Sequence, residues 1–171
     1  QKWTLFPYTT LFRSEEIFKG IHERGRDNAR TPVQWDGSPN AGFTTGTPWI
    51  NVNPNHETIN AEAVLKDEES IFYYYKKLIE LRKQNEVVVY GTYDLVMEDD
   101  EQIFAFTRTL GDDQLLVICN FSDQQPVFTL PESVRYSSKD LLISNLNVDE
   151  NESIDELTLQ PYEARVYVLN K

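Results

Sequence analysis

The sequence predicts an α+β chain: helices and a long irregular segment up to about residue 89, then an antiparallel β-sandwich over residues 90–171. Three observations carry this. The apolar period is three to four residues in SIFYYYKKLIELRKQN and changes to two from Tyr90 onward. The turn-rich clusters MEDDEQ, LGDDQ, SDQQP and NVDENES divide the last part into seven short strands. The charge divides at the same place: residues 1–90 carry 11 basic and 12 acidic side chains, residues 91–171 carry 5 and 16. Acids concentrated in turns are what a sandwich with solvated loops requires.

Residues 1–14 stand apart. Thr4–Ser14, TLFPYTTLFRS, has neither helical nor strand periodicity and leads into nothing that follows. It reads as the in-frame translation of a sequencing-library adapter. The gene-derived chain is therefore expected to start near Glu15, with the natural protein extending further upstream. Residues 15–25 place Ile17, Phe18 and Ile21 at helical spacing, with acids first and bases last, as the helix dipole favours. Residues 26–60 hold four of the eight prolines and no periodicity, a length of irregular chain that usually serves function. Ser70–Gln84 is a helix by the spacing of Ile71, Tyr74, Tyr75, Leu78 and Leu81. The strands follow at Tyr93–Glu98, Ile103–Thr109, Leu115–Phe121, Val127–Leu130, Asp140–Ile143, Glu156–Leu159 and Ala164–Leu169. Alternation is expected to turn Tyr93, Phe104, Phe106 and Phe121 toward the core.

With 171 residues and a net charge of −12, the composition argues against nucleic-acid and membrane-surface partners. No apolar run reaches the length of a membrane span. The single cysteine, Cys119, lies in an apolar run and reads as a small buried hydrophobe. With no secretory signal in view, the cytoplasm is the expected location. His22 and His56 lie far apart with no ligand-spaced neighbours, and no Gly-rich phosphate loop is present, so neither a metal nor a cofactor is expected. The acid run Glu98–Glu101 lacks the spacing and glycine of a calcium loop. Asn120 opens an N-x-S sequon without meaning in the cytoplasm. Tyr73, Tyr74 and Tyr75 suggest a sugar platform, but at helical spacing their rings diverge and at least one packs.

Between Gly25 and Asn60 the chain reads GRDNARTPVQWDGSPNAGFTTGTPWINVNPN. This stretch resembles the signature loop of the α-glucosidase and oligo-1,6-glucosidase branch of the α-amylase superfamily. SIFYYYKKLIELRKQNEVVVYGTYDLV and LQPYEARVYVL are similar to the same group. The resemblance implies the last helix and loop of a (β/α)8 barrel in residues 15–89, and the β-sandwich called domain C, which packs on the barrel's flank, in residues 90–171. It also implies a retaining glycosidase working through two carboxylates, on barrel strands that would precede residue 15. No acid of this chain falls in the family's catalytic motifs, so the chain by itself is expected to be inactive.

The resemblance assigns Arg30 to the floor of the pocket for the non-reducing-end glucose, where a guanidinium can hold a carboxylate and a hydroxyl together. The competing reading is that Arg30 only ties the loop to the barrel. Arg26 is a further substrate-side candidate that also holds the loop's shape, and Asp27 is expected to bond neighbouring backbone N–H groups. Trp35 and Trp49 suit stacking on sugar faces, but packing under the loop is preferred. Val33 stands where the family commonly has Met. The implied partner is an oligosaccharide bound by the full-length enzyme; its oligomeric state is not legible. Trehalose-6-phosphate hydrolysis, dextran glucosidase activity and sucrose isomerisation share this loop. A free-standing glucan-binding sandwich is the alternative from another class, and it would show several exposed aromatics on one face.

Overall fold

The computed structural model describes residues 14–170, so the leader expected over residues 1–14 lies almost wholly outside the described residues. The chain forms two compact units, one ending at Tyr73 and one starting at Tyr74.

The first unit opens with α1, Ser14–Arg24, which ends where the Gly25 amide donates to the Ile21 carbonyl. Phe18 and Ile21 on this helix are 60% and 57% exposed. The segment after it is irregular, as its prolines predict, but it is tied down. Short 3-10 turns occupy Asp27–Ala29, Pro39–Gly42 and Pro54–Glu57, the last two with proline in the first turn. The Asn60 side chain caps α2, Ala61–Val64, by accepting the Ala63 amide at 2.8 Å. Gln34 joins the two ends of the segment. Its side-chain amide donates to Asn55 Oδ1 and to the Ile59 carbonyl, and its own carbonyl accepts the Ala61 amide.

Helix α3, Ile71–Gln84, runs across the boundary of the two units and has no buried residue. Its three tyrosines diverge as helical geometry demands. The Tyr73 hydroxyl donates to the Leu65 carbonyl, burial beside Cys119 pushes the Tyr74 hydroxyl pKa up, and Tyr75 is 64% exposed. A short helix absent from the sequence reading, α4, Glu86–Tyr90, follows. Arg108 holds its end, donating to the carbonyls of Val87 and Gly91.

The second unit is the expected antiparallel sandwich. The seven strands are β1 Thr92–Leu95, β2 Ile103–Leu110, β3 Asp113–Asn120, β4 Val127–Thr129, β5 Ser138–Ser144, β6 Glu156–Thr158 and β7 Ala164–Asn170. Each overlaps its predicted counterpart. Five form one sheet in the order β1-β2-β3-β7-β5, all antiparallel, and β4 pairs with β6 in a second, two-stranded sheet. Gly111, at φ 62°, makes the tight β2–β3 turn that Leu110↔Asp113 pairing needs. The core lies between the sheets. Phe128 and Leu157 from the small sheet meet Ile103, Ala105, Leu116, Ile118, Tyr167 and Leu169 from the large one.

The inward placement of the four aromatics does not hold. Tyr93, Phe104 and Phe121 are 48%, 40% and 70% exposed, and Phe106 is in ring contact with Tyr93 and Phe104. Ile103 and Ala105 take the inner positions of β2 instead, so both faces of that strand are apolar and alternation could not choose between them. The core also contains an ion pair the sequence reading missed. Glu163, fully buried, accepts the Gln160 amide and pairs with Arg165 Nε; the guanidinium also reaches Glu152 at 2.8 Å and the Tyr167 hydroxyl at 3.2 Å. These bonds raise the pKa of Arg165 further despite its burial, so it stays charged at every working pH.

Candidate functional site

The loop residues singled out by sequence converge in the first unit. Arg26 and Arg30 flank the 3-10 turn Asp27–Ala29, in which the Ala29 amide donates to the Arg26 carbonyl and the Arg30 amide to the Asp27 carbonyl. That single turn sets Asp27 and Arg30 on the rim of two grooves. One, of about 410 Å3, has Arg30 to Val33 as one wall and Phe43, Pro48, Trp49 and Ile50 as the other. The second, of about 780 Å3, is lined by Ile21, His22, Arg24, Gly25, Arg26, Asp27 and Arg30.

The side chains of Arg26, Asp27 and Arg30 are exposed, and no hydrogen bond or ion pair engages them among the described residues. For Asp27 this departs from expectation: its backbone carbonyl shapes the turn, but its carboxylate bonds no neighbouring amide. That task falls to Asp36, whose carboxylate takes the Ser38 amide at 2.8 Å and the Ser38 hydroxyl. These two bonds hold the Asp36 carboxyl below the usual carboxylate range. Both residues precede a turn, so composition alone did not separate them.

The tryptophans are also corrected. Trp49 is 99% exposed and Trp35 54%, so neither is packed beneath the loop. Trp35 positions the segment through its backbone, donating to the Ala41 carbonyl and accepting from the Glu62 amide. Trp49 offers a free indole face on the groove wall opposite Arg30. His22 and Arg24, which sequence reasoning passed over, join the second groove; the signal was the cluster of bases in HERGR.

The arrangement can bind and orient, and it contains no assembled acid–base pair. A guanidinium without internal partners suits a carboxylate or vicinal hydroxyls, and an exposed ring suits the C–H face of a sugar. Among the described residues no group of three or more His, Cys, Asp or Glu could hold a metal ion. Asp100 in the acid run Glu98–Glu101 accepts the amides of Gln102 and Ile103, which makes it a turn. Asn120 of the sequon is buried, donates to the Gln124 and Gln160 carbonyls and accepts from Ser122, so its amide has no free hydrogen to modify. No helix among the described residues is long and apolar enough to cross a membrane.

This pairing of a guanidinium-lined loop with a following two-sheet sandwich is matched by known families. The α-amylase catalytic domain matches residues 8–91, and the C-terminal domain of the α-amylase SusG matches residues 103–166. The oligo-1,6-glucosidase of Parageobacillus thermoglucosidasius is 60% identical over 153 residues, which are 90% of this chain and 27% of that protein. The trehalose-6-phosphate hydrolase of Bacillus subtilis is 45% identical over 157 residues, 92% of this chain and 28% of that protein. Among solved structures, the trehalose-6-phosphate hydrolase of Bacillus licheniformis superposes with a TM-score of 0.87 at 46% identity, over 96% of this chain and 30% of its own. An isomaltulose synthase from Klebsiella gives 0.85 at 36% identity, over 95% and 29%. The chain belongs to the α-amylase family of glycoside hydrolases. It spans between a quarter and a third of the length of these relatives.

Proposed function

We propose that residues 15–171 are the carboxy-terminal part of an α-glucosidase that hydrolyses terminal α-1,6 or α-1,4 glucosidic bonds of oligosaccharides. Residues 15–89 end its barrel and residues 90–171 form domain C. The observation that carries this is the groove between Arg30 and Trp49, where an unpartnered guanidinium faces an exposed indole, in a loop whose relatives are named oligo-1,6-glucosidases. In the retaining mechanism a carboxylate attacks the anomeric carbon while a carboxylic acid protonates the leaving oxygen. Neither group is supplied by this chain on this reading. Its share is binding: Arg30 holds the terminal glucose and an acid from the barrel, and Arg26 supports it from the second groove. A cytoplasmic setting accords with the single unpaired cysteine.

The test is a hybrid: the Parageobacillus thermoglucosidasius enzyme carrying residues 15–171 in place of its aligned segment. It should hydrolyse isomaltose, whereas the 171-residue chain alone should release nothing from an aryl α-glucoside. In the hybrid, Arg30→Lys should lower kcat/KM by about tenfold or more, because an ammonium cannot bridge two acceptors in a fixed plane. Unchanged kinetics would refute the assignment of Arg30. Preference for a phosphorylated disaccharide or for sucrose isomerisation would move the assignment to a sister enzyme.

One observation favours the binding-module reading: Tyr93, Phe104 and Phe121 expose aromatic surface on one face of the large sheet. Adjacent rings in this row are inclined by 37°, 53° and 70°, so they form no flat platform for a sugar. Calorimetry of the chain with isomaltose and maltotriose decides it; measurable binding abolished by Phe121→Ala would favour the module.

A further inference from the structure

We infer that Asn40 positions the two walls of the Arg30 groove, and that it does so through its side-chain amide. The inference rests on the reading of Arg30 as a substrate-facing residue. One wall ends at Val33 and the other begins at Phe43. Between them the chain reverses through Asn40, Ala41 and Gly42, with successive φ values of 56°, 56° and 65°. Consecutive non-glycine residues in the left-handed region are disfavoured, so the surroundings must hold them there. From the first wall, the amides of Trp35 and Asp36 both donate to the Ala41 carbonyl, at 2.9 and 3.3 Å, and Ala41 is fully buried. Gly42 has no room for a side chain: a Cβ would lie 2.7 Å from the Asp36 carboxylate.

Toward the second wall the connection is the Asn40 amide. Its Nδ2 donates to the Thr44 carbonyl at 3.1 Å and to the Gly46 carbonyl at 3.0 Å, which uses both hydrogens. Among the described residues the only other side-chain bond in residues 44–50 is the local one from the Gly46 amide to Thr44 Oγ1. One residue thus makes the reversal with its backbone and fixes the start of the Phe43–Trp49 wall with its side chain.

Glycine at position 40 separates these roles, since it adopts φ 56° more readily than asparagine and lacks the amide. Aspartate keeps the size and the backbone tolerance but cannot donate to two carbonyls. In the hybrid enzyme with isomaltose, N40G and N40D should each keep the parent's thermal midpoint. Their kcat/KM should fall by about tenfold, mainly through KM, as expected when an evenly used binding wall shifts. An N40G variant with the parent's kcat/KM overturns the inference. So does an N40G variant whose thermal midpoint falls along with its activity, because the residue would then only stabilise the loop. A folded but inactive parent hybrid overturns the functional reading and this inference with it, and differs from the other two outcomes in that the unsubstituted protein fails.

Discussion

Replacing Glu163 by glutamine is the sharpest test of how the sandwich is held together. The substitution keeps the shape, and the amide oxygen still accepts from the Gln160 N–H, but it removes the only fully buried counter-charge of Arg165. The guanidinium, 5% exposed, would retain the Tyr167 hydroxyl and Glu152, whose side chain is 42% exposed and screened by water. Breaking a buried pair on one side costs about 3–5 kcal/mol, and the remaining Glu152 contact sets the expectation at the lower end, about 3 kcal/mol. For a unit of this size that is a fall in melting temperature of at least about 12 °C. Urea titration followed by circular dichroism, with thermal scans, measures it. Arg165→Met should be as damaging near neutral pH, where it leaves a buried carboxylate with a single backbone donor. It should recover toward low pH, where protonation neutralises that carboxyl. The double variant should be much less destabilised than the sum of the two, because an uncharged pair of similar volume leaves nothing unpaired. A cost below about 1 kcal/mol for E163Q, or additive single effects, would refute the view that the pair acts as a unit in the core.

The apolar core gives a second expectation. Phe128→Ala, at a fully buried position on the two-stranded sheet, should cost about 3–5 kcal/mol in the same titration. A third concerns alkali. Burial raises the pKa of Cys119, Tyr74 and Tyr167 above their ordinary values of 9.0, 10.0 and 10.0. The folded state therefore holds these protons longer than the unfolded state does. Stability should be level below about pH 9 and decline above it, and Cys119→Ala should remove the earliest part of the decline. A flat profile to pH 11 would contradict the burial of these groups.

Much of the candidate site could be read from sequence because its residue types leave little choice. Proline and glycine interrupted residues 26–60, and the arginines of GRDNAR stood out without acidic neighbours enough to pair with. Which carboxylate would shape the loop could not be read. Asp27 and Asp36 both precede turn residues, and only the folding of Asn40–Gly42 back onto Asp36 selects between them. Trp49 was misjudged for a related reason: the value of burying a large ring says where it gains most, not whether this chain offers it cover.

The sequence by itself determined the seven strands, their antiparallel order of turns and the long helix, because periodicity and turn residues act over a few neighbours. It also marked Arg30, through the motif around it. Tertiary structure alone decided which face of β2 lies inward, since Ile103 and Ala105 compete with Phe104 and Phe106, and only the small sheet carrying Phe128 breaks the tie. It alone admitted a charged pair to the core, because Arg165 is tolerable on an inner face only when Glu163, two residues away, points to the same side. And it alone gave Asn40 its double bond to Thr44 and Gly46, through a left-handed reversal that no local preference would have chosen.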